Sequence, residues 1–243
     1  MAELVAHRGS AAQYPENTLV ALAAALAAGV RWLECDVQLS ADHVPVLLHD
    51  ADLKRTGGDP RDVFDLDVSS LATISVHEPL RLGRAYEPTR VPRLAEAVEL
   101  VGEHAGATLF VEVKHESIER FGLEAVMNAV RAALTQDCVV ISFHDGAIAR
   151  AREFGLRTGW VAPEWSERAR EIATSLAPDF LFTNIKRVPD GAALWPGPWR
   201  WAAYDARDAE EALSMAARGF EFVETKAVGE LLLDPRIAAW LRP

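Results

Sequence analysis

Two carboxylates one residue apart, Glu34 and Asp36, stand inside an otherwise apolar run from Val30 to Leu39. If that run is a strand, side chains alternate across it, so both acids point to one face and Cys35 to the other. Like charges brought together out of water repel and are poorly solvated. A core strand carries such a pair only with a cation or a basic group to compensate it. Oxygen-only ligands suit a hard divalent ion, Mg²⁺ or Ca²⁺, better than zinc, which favours nitrogen and sulfur. Glu-x-Asp alone reads more readily as a salt-bridged strand end. The balance moves with what the chain offers elsewhere: His7 and Arg8 after the first apolar run, His49 after Val44 to Leu48, and Glu112 with Lys114 where Thr108 to Val113 ends. Histidines exchange protons near neutral pH, while Arg and Lys neutralise an anion. This inventory suits metal-assisted attack on a phosphate ester. Plainer readings exist: Lys114 as a solvated strand end paired with Glu116, His7 as a hydrogen-bonded core histidine, Glu112 as a balance for Lys114. They must then explain six charged or titratable residues gathered at the same end of adjacent strands. The remaining histidines, His43, His77, His104, His115 and His144, read as surface or structural. Trp160, Trp201 and Tyr204 read first as packing, with Trp201 the best of them for a substrate wall.

The elements that must position these residues alternate. Leu4 to Ala6 predicts a strand, Asn17 or Thr18 caps an Ala/Leu helix to Ala28, Gly29 closes it, and the strand with Glu34 and Asp36 completes a βαβ unit. Residues 40–91 predict an irregular insertion over one end of the sheet, with a short helical piece near Ser69 to Ile74. Alternation resumes with helix Arg93 to His104, strand Thr108 to Val113, helix Ile118 to Leu134, strand Cys138 to Ser142, helix Asp145 to Phe154 and strand Arg157 to Val161. A helix from the Ser166 cap to Leu176, strand Phe180 to Thr183, strand Trp199 to Tyr204, helix Asp208 to Ala217, strand Phe220 to Val223 and a helical end near Pro235 to Leu241 follow. Eight strands separated by helices predict a single-domain (β/α)8 barrel over 1–243, a TIM barrel with a capping insertion after strand 2; a doubly wound open sheet is the alternative. In a barrel, the C-terminal ends of strands, where these residues fall, are where sites are built.

The chain has 243 residues, 50% of them hydrophobic, enough for one large core. A formal charge of −11 without a Lys/Arg block argues against nucleic acid as a partner. Cys35 and Cys138 lie in apolar runs without metal-type spacing, as buried thiols of a reducing compartment do. No secretory signal precedes the first strand, so the expected location is cytoplasmic. Leu19 to Val30 is too short to span a bilayer, and no basic amphipathic segment predicts stable membrane anchoring.

Taken together, His7-Arg8-Gly9, Pro15-Glu16-Asn17-Thr18, Glu34-Cys35-Asp36-Val37, Pro45-Val46-Leu47-Leu48-His49-Asp50 and Val111-Glu112-Val113-Lys114 resemble the motifs of the glycerophosphodiester phosphodiesterases. The resemblance is continuous from Leu4 to Arg55 and intermittent beyond. It implies a TIM barrel capped by the insertion, and metal-dependent hydrolysis of small glycerophosphodiesters to glycerol 3-phosphate and an alcohol. It further implies Glu34, Asp36 and Glu112 as ligands of Mg²⁺ or Ca²⁺, His7 and His49 as acid and base, Arg8 and Lys114 as phosphate contacts, and Glu16 and Asn17 as supporting residues. Trp201 keeps the family's strand 7 Trp. Tyr204 stands where members often have Asn, and Val223-Glu224-Thr225-Lys226 replaces the usual Thr-Asp. Alternatives are a related phospholipase acting on lysophospholipids or inositol lipids, and a non-catalytic barrel that binds a phosphorylated ligand. Attack by water and attack by the substrate's own 2-hydroxyl, through a cyclic phosphate, both remain open at this level.

Overall fold

The computed structural model describes residues 2–241. Among the described residues nine strands form one sheet: β1 (Glu3–Ala6), β2 (Trp32–Leu39), β3 (Pro45–Leu47), β4 (Thr108–Val113), β5 (Cys138–Ser142), β6 (Arg157–Ala162), β7 (Phe180–Asn184), β8 (Arg200–Tyr204) and β9 (Phe222–Thr225). The order β1-β9-β8-β7-β6-β5-β4-β2 is parallel throughout, and β1 also pairs with β2, which closes an eight-stranded barrel. The ninth, β3, is an addition to the expected set. Val44 to Leu48 folds back antiparallel on β2, with Val37 opposite Leu47, so the first residues of the insertion extend the sheet beyond the barrel.

Alternation along each strand sorts the side chains. Val5, Phe110, Val139, Ile141, Val161, Phe180, Phe182, Ala202 and Phe222 fill the barrel interior, with Trp32 and Tyr204 against them. The aromatic rings meet edge to face, Phe110 and Phe180 at 5.0 Å and Trp32 and Phe222 at 4.7 Å. The opposite faces of the strands meet the helices: Cys35 and Val37 pack with Leu22, Leu94, Val98 and Val126 of the surrounding helices. Apolar layers thus plug the interior below, and the next inward position on each strand, one step toward its C-terminal end, opens on the mouth.

Three local differences from the sequence expectation have physical causes. The helix expected over Ile118 to Leu134 is two, His115–Phe121 and Leu123–Ala133, because Gly122 takes φ +83° and turns the chain. The last strand is Phe222–Thr225, later than Phe220 to Val223, since Gly219 and Phe220 complete the turn out of the preceding helix, Ala209–Ala217. The insertion, irregular apart from short helical pieces such as Val68–Leu71, has in addition a small core of its own: Val46, Leu48, Leu53, Val63, Leu66, Leu71, Ile74, Val76 and Val91.

Candidate active site

β1 ends at Ala6, and the turn that follows places His7 and Arg8 at the mouth. Gly9 makes the turn possible: at φ +78°, a Cβ there would lie 2.5 Å from the carbonyl carbon of Ala21 in the helix Leu19–Ala27. Three non-glycine residues with left-handed backbone gather on this wall, Arg8 (φ 59°), Asn17 (φ 55°) and Glu78 (φ 52°). Each such conformation costs about 1–3 kcal/mol and persists only where its surroundings over-determine it. Here the surroundings are hydrogen bonds. Asn17 Nδ2 donates to Asp36 Oδ2 at 2.8 Å while its Oδ1 accepts from the Asp36 amide at 3.0 Å. The Glu16 amide donates to Glu78 Oε1 at 2.7 Å, and Arg8 Nη1 donates to Glu16 Oε1 at 2.8 Å.

β2 carries Glu34 and Asp36 inward, and β4 brings Glu112 opposite, so ligand atoms of the three lie within 4.8 Å of one another. Their surroundings differ. Arg8 Nε lies 2.9 Å from Asp36 Oδ2, out of line for a hydrogen bond, and Lys114 Nζ lies 3.4 Å from Oδ1. Burial works to raise the Asp36 carboxyl, and the two cations overcome it and hold the group far below the usual carboxylate range. Lys114 Nζ also donates to Glu112 Oε1 at 2.8 Å. Glu34 has less support. Its Oε2 accepts the Arg8 amide at 3.0 Å, but Oε1 is buried without a partner, and desolvation with the charges of Asp36, Glu224 and Glu112 pushes its carboxyl well above the ordinary value. An orphaned carboxylate oxygen beside two further carboxylates fits a hard divalent cation, which supplies the missing charge and accepts oxygen ligands alone.

The histidines face one cavity of about 120 Å³, lined by His7, Arg8, His49, Glu112, Lys114 and Glu224 on its polar side. Ile141, Phe143, Val161, Phe182 and Tyr204 make the apolar side. His7 Nε2 lies 3.9 Å from Glu34 Oε2, and Nδ1 lies 3.2 Å from Asp205 Oδ2 at an ion-pair distance without hydrogen-bond alignment. Burial pushes the His7 imidazole below its ordinary value, against the pull of Asp205. His49 Nδ1 is 2.7 Å from Asp50 Oδ1, and Arg55 ties Asp50 Oδ2 (2.8 Å) to Glu16 Oε1 (2.6 Å).

Residues 7–134 match the model of the glycerophosphoryl diester phosphodiesterase family, more than half of the chain. The chain belongs to this family. It is 32% identical over 158 residues to a glycerophosphodiester phosphodiesterase of Bacillus altitudinis, covering 61% of each chain. It is 28% identical over 198 residues to one from Caldanaerobacter subterraneus subsp. tengcongensis, covering 77% of this chain and 79% of that one. Among solved structures it is similar to an Oleispira antarctica phosphodiesterase in complex with sn-glycerol-3-phosphate, with a TM-score of 0.82, 25% identity and 95% of each chain covered.

Within this member of the family, His7, Arg8, His49, Glu112 and Lys114 line one cavity, with Glu34 and Asp36 clustered against Glu112 and Glu16 and Asn17 bonded behind them. Trp201 is not with them, which corrects its reading as a substrate wall. Its position on β8 faces outward, where it packs with Trp165, Trp195 and Trp199 and donates from Nε1 to the Trp195 carbonyl at 3.1 Å. The aromatic residue of β8 in the cavity is Tyr204. Four residues to which the sequence reading gave no role join the site: Glu224, Asp205, Asp50 and Arg55. A strand register begun at Phe222 would have found Glu224, because residues 222 and 224 share a face. Asp50 adjoins His49 in sequence. Nothing in the sequence points to Arg55 or Asp205, which are brought in by the fold.

Proposed function

We propose that this protein is a divalent-metal-dependent phosphodiesterase that hydrolyses small glycerophosphodiesters to glycerol 3-phosphate and an alcohol, with Mg²⁺ or Ca²⁺ as the ion. The carrying observation is the conjunction in one cavity of two histidines, two buried cations and a carboxylate cluster with an uncompensated oxygen. Glu34, Asp36 and Glu112 would hold the divalent cation, which would supply positive charge to the carboxylates and polarise a phosphoryl oxygen. Arg8 and Lys114 add fixed positive charge for the phosphate. Both are already held by Asp36, Glu16 and Glu112, so little reorientation is needed when substrate arrives.

His7 is the base in this reading. Burial keeps it neutral near pH 7, Nδ1 faces Asp205, and Nε2 faces the carboxylate cluster, where it takes the proton of the attacking hydroxyl. That hydroxyl is water or the substrate's own glycerol 2-hydroxyl; trapping a cyclic phosphate would select the second. His49 is the acid. Asp50 engages its Nδ1, which leaves Nε2 to protonate the departing alkoxide. The relative solved with sn-glycerol-3-phosphate as product supports the choice of product. Turnover of glycerophosphocholine, glycerophosphoethanolamine, glycerophosphoglycerol and a lysolipid, with Mg²⁺, with Ca²⁺ and with EDTA, tests the proposal. Glycerol 3-phosphate should be released from the small diesters and only with metal. Metal-independent turnover, or turnover of the lysolipid alone, would refute it.

A further inference from the structure

Glu224 does not fit the set just described. It is 4% exposed, it lines the cavity, and its Oε1 has no hydrogen-bond partner. It lies within 4.8 Å, ligand atom to ligand atom, of His7 and Glu34. Glu34 is therefore common to two clusters of different chemistry. With Asp36 and Glu112 it offers oxygen only; with His7 and Glu224 it offers one imidazole nitrogen and two carboxylate oxygens. Mixed nitrogen and oxygen donors with an open position are what zinc takes in its three-ligand sites.

We propose that His7, Glu34 and Glu224 form a second cation position, suited to a zinc-type ion, and that its occupation inhibits the enzyme by taking His7 Nε2 out of proton transfer. Two features of His7 carry the assignment beyond an acidic cluster. Nε2 already points at Glu34, 3.9 Å away, while Nδ1 faces Asp205 at 3.2 Å. A carboxylate behind a histidine ring is the usual companion of a metal-binding imidazole, because it fixes the ring and raises its basicity. Zinc bonds of about 2.0–2.2 Å set tetrahedral ligand atoms roughly 3.4 Å apart, so the three side chains need to close by about an ångström. The Glu34 carboxylate has donor capacity to share between the two clusters: Oε1 is orphaned, and Oε2, the oxygen nearer His7, accepts only the Arg8 amide. Carboxylate-bridged ion pairs about 3.5–4 Å apart are a known arrangement at phosphoryl sites.

The inhibitory half of the inference rests on His7 being the base of the proposed reaction; the binding half does not. The full chain is dialysed against Zn²⁺ with Mg²⁺ saturating. One Zn²⁺ per chain is expected, with affinity lowered about tenfold or more by Glu224→Gln and by Glu224→Ala, and about 10- to 100-fold by Asp205→Asn, which disturbs His7 from behind. Circular dichroism establishes that the variants are folded, and the near-isosteric Gln variant decides if the Ala variant does not fold. Wild-type zinc affinity in Glu224→Gln would overturn the site, and is the result expected if zinc merely replaces Mg²⁺ at Asp36 and Glu112. In the turnover arm, the inhibiting Zn²⁺ concentration should rise in Glu224→Gln by the factor seen in dialysis. Unchanged inhibition would overturn the regulatory role. Absence of any Mg²⁺-supported turnover would sink the proposed function instead, and the dialysis would still decide the site.

Discussion

Replacing Glu16 by Gln removes an anion that two arginines share. Arg8 Nη1 and Arg55 Nη2 lie 2.8 and 2.6 Å from the same oxygen, Oε1, and the Glu16 side chain is 7% exposed. Desolvation alone would raise this carboxyl, but Arg55 and Arg8 outweigh it and bring the pKa from 4.5 down to about 2. That displacement corresponds to about 3 kcal/mol of folding stability. The folded value is the depressed one, so the contribution is complete above the unfolded value of 4.5 and is lost as pH falls toward about 2. By pH 3 the wild type should have lost about 2 kcal/mol of it, and Glu16→Gln has none to lose. For a chain of this length about 2–4 °C of Tm accompanies each kcal/mol. Melts followed by circular dichroism should therefore give a wild-type advantage of roughly 6–12 °C at pH 7 that narrows by about 4–8 °C at pH 3. Other carboxylates titrate in both proteins and cancel in the difference. A gap that stays constant from pH 7 to pH 3 would show that Glu16 does not hold the two arginines as an ionised group, and the account of this wall would fail.

Chelation followed by dialysis should abolish turnover, and Glu112→Gln or Asp36→Asn should raise the Mg²⁺ concentration needed for half-activity; full activity of either variant after chelation contradicts the ligand set. His7→Ala and His49→Ala should each lower kcat by about 10²- to 10⁴-fold with Mg²⁺ affinity nearly unchanged. On a p-nitrophenyl diester, whose leaving group needs no proton, His49→Ala should recover and His7→Ala should not. Recovery of His7→Ala alone would exchange the two roles. Gly9→Ala puts a Cβ 2.5 Å from the Ala21 carbonyl carbon at a backbone φ of +78°, and should cost on the order of 2–4 kcal/mol in urea denaturation. A cost below about 1 kcal/mol would mean that the turn shifts freely.

The barrel was legible because its strands are short apolar runs punctuated by capped helices, and most boundaries fall within a residue or two of the expectation. β4 and β5 fall on the expected residues. The early site residues were legible for a related reason: a charged side chain on an apolar strand has few places to go, and alternation says which face it takes. Legibility failed where tertiary structure decides. Val44 to Leu48 is apolar enough for a strand, but only the surface of β2 makes it one. Gly122 permits a helix break without requiring it. Trp201 and Tyr204 are three residues apart on one strand, so they cannot share a face, and a single-residue choice of register sends one to the cavity and the other to the outer tryptophan cluster.

The insertion ties the histidine it carries to the barrel. Asp50 and Arg55 both belong to it, and through them His49 is linked to Glu16 and on to Arg8 at the end of β1. Glu78, also in the insertion, holds the Glu16 amide and is itself held by Arg81, whose guanidinium donates to the carbonyls of Ala12 and Tyr14 at 2.8 Å each. The insertion is thus clasped to the β1 turn at two points by charge-assisted hydrogen bonds, the stronger kind. Its own apolar core keeps both clasps in register with each other. A histidine on a loop anchored only by its neighbours would sample many positions, and misplacement by an ångström is enough to lose about 10²-fold in rate. His49 is instead carried on a small folded unit whose contacts end on the same arginine that faces the cavity from the barrel. Changes at Arg55 or Glu78 should therefore reach turnover through the placement of His49 and Arg8, although neither side chain lines the cavity.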